Sequence, residues 1–324
     1  MDGTKMENIS ALTPLKQPIV FHLEGFYVLP GHGPFFFSLL LLYYAVTLWA
    51  NGSVLCVIVT DQNLHRPMYV LVCNLAVCDL LGATAVAPRL MMHFLTGQRK
   101  IAYVPALAQA FSVHMYGVAV QTVLGVMAYD RYIAVCEPLR YHAIMTGARL
   151  HSCLALAWSV AVLLIALLFI FHMNSPLCGN VIQHVYCSNR GILNLACGPT
   201  PLNNIYGLSM SWSLNTSIFL IISFSYIRIL HACVKQGAAD SGMRSKTFQT
   251  CAPHLVVYVL YQIASVVIIV SYRFPSLSQN IKKFLSILFI IIPPLINPLI
   301  YGLVSKEIRA GIIKHLTFLH PSKR

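Results

Sequence analysis

The chain has 324 residues, of which 57% are hydrophobic and only 10% charged, against about 25% charged in an ordinary soluble protein. That composition excludes a typical cytosolic enzyme and a disordered chain alike, and it directs the reading to a lipid bilayer. Lysine and arginine outnumber the acids 22 to 9, yet the basic residues stand singly, with no run to track a phosphate backbone, which argues against nucleic acid as a partner.

Residues 1–34 are polar and proline-dotted, with Lys5 and Lys16 but no apolar core followed by a small-residue cleavage site. They read as an extracellular N-terminal tail, with the first apolar span serving as its own insertion signal. Asn8-Ile9-Ser10 in this tail is a glycosylation sequon. Asn51-Gly52-Ser53 and Asn215-Thr216-Ser217 match the same pattern but fall inside apolar spans, out of a glycosyltransferase's reach.

A helix needs roughly 20 mostly apolar residues to cross the hydrocarbon. Seven stretches meet this, near 35–60, 69–93, 105–136, 150–172, 203–231, 246–272 and 281–304. The expected fold is an all-α membrane protein: a seven-helix bundle over 35–304, then a cytoplasmic amphipathic helix and tail over 305–324. Thirteen basic residues fall on the side that includes Arg66, Arg131, Lys246 and the tail, and eight on the other, which favours a cytoplasmic C-terminus. The one long loop, 173–202, then faces outside and carries Cys178, Cys187 and Cys197 in a compartment where disulfides persist. Three is odd, so one thiol is left over.

Polar residues inside the spans mark candidate working parts. Asn51 lies in the first span, and Asp79 sits midway along the second. An acid within the membrane is costly and should face polar company; Asn51 and Asn297 are the expected companions. Leu64-His65-Arg66-Pro67-Met68-Tyr69 opens the second span, with Pro67 where a first-turn proline is tolerated. The third span ends in Met127-Ala128-Tyr129-Asp130-Arg131-Tyr132-Ile133-Ala134-Val135-Cys136. There the adjacent acid and base can neutralise each other, or be parted by a protein that offers Arg131 better acceptors. Lys246-Thr247-Phe248-Gln249-Thr250-Cys251-Ala252-Pro253-His254-Leu255 opens the sixth span, and Asn297-Pro298-Leu299-Ile300-Tyr301 lies in the seventh. Pro298 frees backbone groups that side chains or water must satisfy. After Ser305, residues Ile308, Ile312, Ile313 and Leu316 share one helical face, as an interfacial helix requires. Asp79 is the sole acid deep in a span, which disfavours a transporter or channel, and no His-Glu-x-x-His spacing or paired carboxylates mark a membrane enzyme. No cofactor or metal is expected.

Taken together, these motifs resemble the odorant receptors, a family of rhodopsin-like G-protein-coupled receptors. The wider class shares Asn51, Asp79, the Asp130-Arg131-Tyr132 triplet, Trp158 and Asn-Pro-x-x-Tyr. The odorant family adds Leu-His-x-Pro-Met-Tyr, the extended run around Arg131, Ser225-Tyr226 and Lys-x-Phe-x-Thr-Cys-x-x-His-Leu. Tyr272-Arg273-Phe274 and the run from Ser286 to Tyr301 are similar to the fish-type, class I branch, whose ligands tend to be water-soluble. The resemblance implies a plasma-membrane receptor of olfactory cilia with no catalysis of its own. A small odorant would bind in the outer half of the bundle, and a stimulatory olfactory G protein would engage the inner face through Asp130, Arg131, Tyr132, Tyr226, Lys246, His254, Asn297, Pro298 and Tyr301.

The same resemblance implies ligand contacts at His114, Gly117, Val118, Met210, Ser213, Gln262, Ser265 and Arg273. A matching arginine serves acid ligands in class I receptors, so an anionic or amphoteric odorant is expected. Val113, where amine receptors keep an aspartate, disfavours an amine. The family pattern pairs Cys178 with Cys197 and tethers the third cysteine of the loop to the outer end of the third span. Ala106 stands at that position here, which leaves Cys187 as a free thiol and puts the tether in doubt. Tyr261-Gln262-Ile263 replaces the family's usual Phe-Tyr-Gly and alters the pocket floor.

Overall fold

A computed structural model describes residues 14–15, 19–173, 175–237, 241–271, 274 and 276–319, with side chains described for all of these except 236–237, 241–250, 303–304, 306 and 315–319. Asn8, Arg273 and the side chain of Lys246 lie outside the described residues. Ten α-helices follow in chain order: α1 Gly33–Thr60, α2 Pro67–Thr96, α3 Tyr103–Cys136, α4 Tyr141–Ile144, α5 Gly147–Met173, α6 Asn189–Leu193, α7 Pro201–Gly237, α8 Ser241–Ser271, α9 Gln279–Val304 and α10 Lys306–Leu319. Among the described residues, α1, α2, α3, α5, α7, α8 and α9 are long and apolar enough to cross a membrane. Each matches its expected stretch as far as the residues are described, α8 to Ser271, and α7 runs six residues further, to Gly237.

α3 is the axis of the bundle, buried along most of its length, and α2, α5 and α7 pack against it. Tyr116 from α3 fills the space over Gly82 of α2, where a Cβ would come within 2.7 Å of the ring. α2 ends at Gly97, whose left-handed backbone (φ 68°) lets its N–H reach the His93 carbonyl. α10 turns under the bundle. Ile308 is buried, and a Cβ on Gly311 would come within 2.4 Å of Val57 in α1. Ile313 stays exposed on the outer side, as an interfacial helix requires.

α9 contains Pro293, Pro294 and Pro298. A proline offers no N–H, so the carbonyl four residues earlier loses its helical partner, and hydrocarbon supplies no water to replace it. α1 supplies two donors instead. Asn51 Nδ2 donates to the Pro294 carbonyl at 2.9 Å, the group freed by Pro298. Tyr43 Oη donates to the Ile290 carbonyl at 3.3 Å, the group freed by Pro294. Asn51, expected as a polar companion of Asp79, gives its amide to the freed carbonyl. Asn297 alone of the two serves the acid, with Nδ2 at 3.1 and 2.9 Å from the carboxylate oxygens of buried Asp79.

The N-terminal segment is more than a tail. Val20–Leu23 forms β1, paired antiparallel with β2 (Lys100–Ala102) and parallel with β3 (Val181–Ile182), in the order β2-β1-β3. Phe21 and Leu23 alternate inward and are buried. The segment is latched to α9. Lys283, 1% exposed, donates from Nζ to the Gly25 carbonyl at 3.0 Å and meets Glu24 Oε1 at 3.1 Å. Gly25 N–H donates in turn to the carbonyl of His184 in the long loop. Burial first, and then repulsion from Lys283, push the His184 imidazole down to about 4.

Removing Lys283's charged donor should loosen this lid, because a hydrogen bond to a charged group is worth about 1.5–3 kcal/mol. Lys283→Met is expected to raise amide hydrogen exchange across 19–26 by roughly tenfold or more, with the core of α3 unchanged. A His184 that stays neutral when packed takes up a proton only on opening. The lid's stability from this group is therefore fully present above about 6.5 and lost as the pH falls toward 4. Protection factors across 181–186, taken relative to the intrinsic base-catalysed exchange rate at each pH, should fall with acid through that window in wild type and much less in His184→Gln.

Candidate functional site

A cavity of about 240 Å³ lies between α3, α5, α7 and α8, capped by α6 and touched by Phe289 of α9. That is room for a small molecule, somewhat below the 300–1,000 Å³ of drug-sized pockets. Of the residues expected there, His114, Gly117, Val118, Met210 and Ser265 line it. Ser213 does not: it is exposed on the outer face of α7. Residues four apart lie on one face of a helix, and the stripe turned inward is Asn203, Gly207, Ser211 and Asn215. Gln262 is also absent from the lining. Its neighbour Tyr261, one turn from Ser265, faces the cavity instead.

The floor is a three-way polar contact. Gln121 Nε2 donates to Asn215 Oδ1 at 3.1 Å and to Ser265 Oγ at 3.3 Å. Ser265 Oγ donates to Asn215 Oδ1 at 3.1 Å, and Asn215 Nδ2 donates to the Ser211 carbonyl at 2.8 Å. Beside it, Tyr261 Oη donates to the Gly117 carbonyl at 2.8 Å, and its ring packs against Tyr116 and Phe289. Gln121 and Asn215 were not among the expected contacts, and Tyr261 was expected only as part of an altered pocket floor. Their signal in the sequence was polarity inside an apolar span, which Asn215 carried within an unusable sequon.

The roof is the long loop. Ser188 caps α6 by accepting from Gly191 N–H, and α6 sits over the cavity. Asn189 N–H donates to His114 Nε2 at 3.2 Å, so the neutral imidazole carries its proton on Nδ1. Asn189 Nδ2 donates to Asn203 Oδ1, Asn203 Nδ2 donates to the Leu168 carbonyl, and Asn189 Oδ1 meets His172 Nδ1. One loop asparagine thus joins α3, α5 and α7. Cys178 and Cys197 are disulfide-bonded, and Cys187 is buried with its sulfur free. The loop is nevertheless fixed to α3. Gln109 Oε1 accepts from Cys187 N–H at 2.8 Å, while Gln109 Nε2 donates to the Ala85 carbonyl of α2 at 2.9 Å. Burial pushes the Cys187 thiol up to about 12, which leaves little thiolate at neutral pH.

At the inner end, the Arg131 guanidinium is paired with Asp130, and Asp130 Oδ1 accepts from Tyr141 Oη of α4 at 2.8 Å. Burial and the nearby Asp130 charge raise the Tyr141 phenol above its ordinary value. His254 Nε2 lies 3.1 Å from the Leu124 carbonyl, and Nδ1 lies 2.7 Å from Tyr226 Oη. The Nε2 side donates to the Leu124 carbonyl, while the single Tyr226 hydroxyl hydrogen lies between two acceptors, His254 Nδ1 and the Cys251 carbonyl at 2.9 Å. This ties α3, α7 and α8 together. The Tyr132 ring meets Phe224 of α7 at a tilt of 47°, centroids 6.1 Å apart. Tyr301 is buried with no protein partner for its hydroxyl.

A bundle of seven membrane-length helices with a small cavity near one end and a largely buried acid–base pair near the other has the form of a membrane receptor. Residues 39–318 match the family model described as "Olfactory receptor". Human olfactory receptor 2K2 is 34% identical over 299 residues, covering 92% of this chain and 93% of that protein. Human olfactory receptor 52N2 is 31% identical over 324 residues, covering 96% of each. Mouse olfactory receptor 2A7 is 33% identical over 290 residues, covering 89% of this chain and 93% of the relative. The chain belongs to the olfactory receptor family, whose members are non-enzymatic multi-pass membrane receptors that detect odorants through G proteins.

If Gln109 carries the loop tether, losing its hydrogen bond, worth about 1 kcal/mol, should admit reagents to Cys187. Maleimide labelling at Cys187 is expected to be slow in wild type and about fivefold faster in Gln109→Ala. The Cys187→Ser protein supplies the background from the other cysteines.

Proposed function

We propose that the chain is an odorant receptor of the plasma membrane, N-terminus outside, which binds a small molecule in the α3–α5–α7–α8 cavity. Binding favours an outward swing of α8, and the opened inner face activates a stimulatory olfactory G protein and raises cyclic AMP. The observation that carries this reading is a shared face on one helix. His254, Tyr261 and Ser265 stand seven and four residues apart on α8, so cavity contacts and the inner tie to Leu124 lie on the same side of one rigid element. A ligand that shifts Tyr261 or Ser265 therefore bears on the His254–Leu124 bond, and it biases the two states by its difference in affinity for them. As α8 moves, Arg131 leaves Asp130, and Tyr226 and Tyr301 repack toward it, beside Tyr132, Lys246, Asn297 and Pro298. Cys178–Cys197 holds the loop, Asn8 carries glycan, and Asn51 and Asp79 keep the proline-rich α9 in register. The fish-type branch and an anionic group on the ligand both rest on the sequence around Arg273.

The test is cyclic AMP in cells expressing the surface-verified receptor, across small acids, amino acids, amines and neutral odorants. Arg131→Ala should abolish the ligand response at equal surface level. His254→Ala, which frees α8 from Leu124, should raise basal cyclic AMP several-fold; an unchanged basal level would sink the latch. Arg273→Ala should lose responses to acids while keeping those to neutral odorants.

A further inference from the structure

We infer that the ligand of the cavity is a small, mainly apolar alcohol that donates its hydroxyl hydrogen to Gln121 Oε1. The inference deepens the receptor reading by naming the chemical class its site takes. Gln121 is 4% exposed, lines the cavity, and its Oε1 has no hydrogen-bond partner. The amide cannot be turned to remove this. Asn215 Nδ2 is committed to the Ser211 carbonyl, so Asn215 Oδ1 is the atom that faces Gln121. Ser265 spends its one hydrogen on that same Oδ1 and can only accept from Gln121. Both neighbours therefore require the Gln121 nitrogen, and the oxygen is left in the cavity wall as a buried acceptor without a donor among the described residues, which is unfavourable.

The rest of the lining selects among donors. Val113, Val118, Leu214, Ile268, Ile269 and Phe289 supply apolar wall. Among the described lining residues there is no Asp or Glu, so an ammonium group would be buried without a counter-charge. A carboxylate, aldehyde or ether set against Gln121 brings acceptor to acceptor. An alcohol supplies the missing hydrogen with no charge to desolvate, and any acidic group on the molecule lies at the far, loop end.

The experiment uses the full chain, purified in detergent for thermal-shift titration and expressed in cells for cyclic AMP. The probes are matched sets sharing one skeleton (alcohol, methyl ether, aldehyde, carboxylic acid and hydroxy acid) in linear, branched and aromatic series that fit the cavity. For at least one skeleton the alcohol or hydroxy acid should stabilise the receptor at about tenfold lower concentration than the ether or aldehyde. Gln121→Met should erase that ratio, whereas Ser265→Ala, which leaves Oε1 in place, should keep it. Where Gln121→Met fails to fold, the wild-type ratio and its retention in Gln121→Glu, whose protonated acid still offers a carbonyl oxygen, decide the matter. Equal binding of alcohol and ether, as a resident water on Oε1 would give, overturns the inference. So does a preference for ether, aldehyde or simple acid, a preference that survives Gln121→Met, or no binding by any alcohol. An alcohol preference in thermal shift with silent cyclic AMP upholds the ligand class and sinks the coupling reading instead.

Discussion

Carbonyls that prolines strip of their partners, in a place with no water to replace them, set the frame of this protein. α9 holds three prolines within the bundle, and two of the carbonyls they free are met from α1, by Tyr43 and Asn51. A donor that must reach one carbonyl fixes both the rotation and the height of two helices against each other. Asn297 is thereby aimed at Asp79, and the turn at Ser305 comes beside Tyr69, where their hydroxyls sit 3.3 Å apart. The buried acid holds an amide where hydrocarbon offers it nothing else.

The two ends of the bundle are joined by a different economy of contacts. α8 touches α3 chiefly through hydroxyl and imidazole groups that end on backbone carbonyls, Tyr261 at Gly117 and His254 at Leu124. Such contacts are directional and few, unlike the broad apolar packing of α2 on α3. An element held by a few directional bonds has discrete alternatives, which is what a two-state switch requires.

The fold was legible in the sequence because lipid permits so little: seven apolar runs of the right length leave one architecture. The Asp79–Asn297 contact was legible too, since a lone membrane acid must find a polar partner. Side-chain destinations that depend on helix rotation were not. Ser211 faces the cavity and Ser213 the outside because two residues turn a helix by roughly 200°, and span boundaries read from hydropathy do not fix rotation that finely. Asn51 was assigned to the acid when the stronger need was a carbonyl freed across the bundle by Pro298. β1 gave no warning, as the four residues Val20–Leu23 carry too short an alternation to declare a strand. Gln109 was invisible for another reason. The sequence announced a missing cysteine at Ala106, and nothing in it said that an amide one turn away would reach the loop backbone.

That substitution bears on timing. A disulfide would pin this part of the loop to α3 at one permanent point, but here the roof rests on the hydrogen bonds of Gln109, His114 and Asn189. Such bonds break and re-form in local openings far smaller than global unfolding. On the receptor reading proposed above, a molecule held in the cavity would leave through its ceiling, with a residence time that follows the frequency of those openings. A hydrogen-bonded ceiling thus shortens the memory of each encounter, and the signal can track a stimulus that comes and goes.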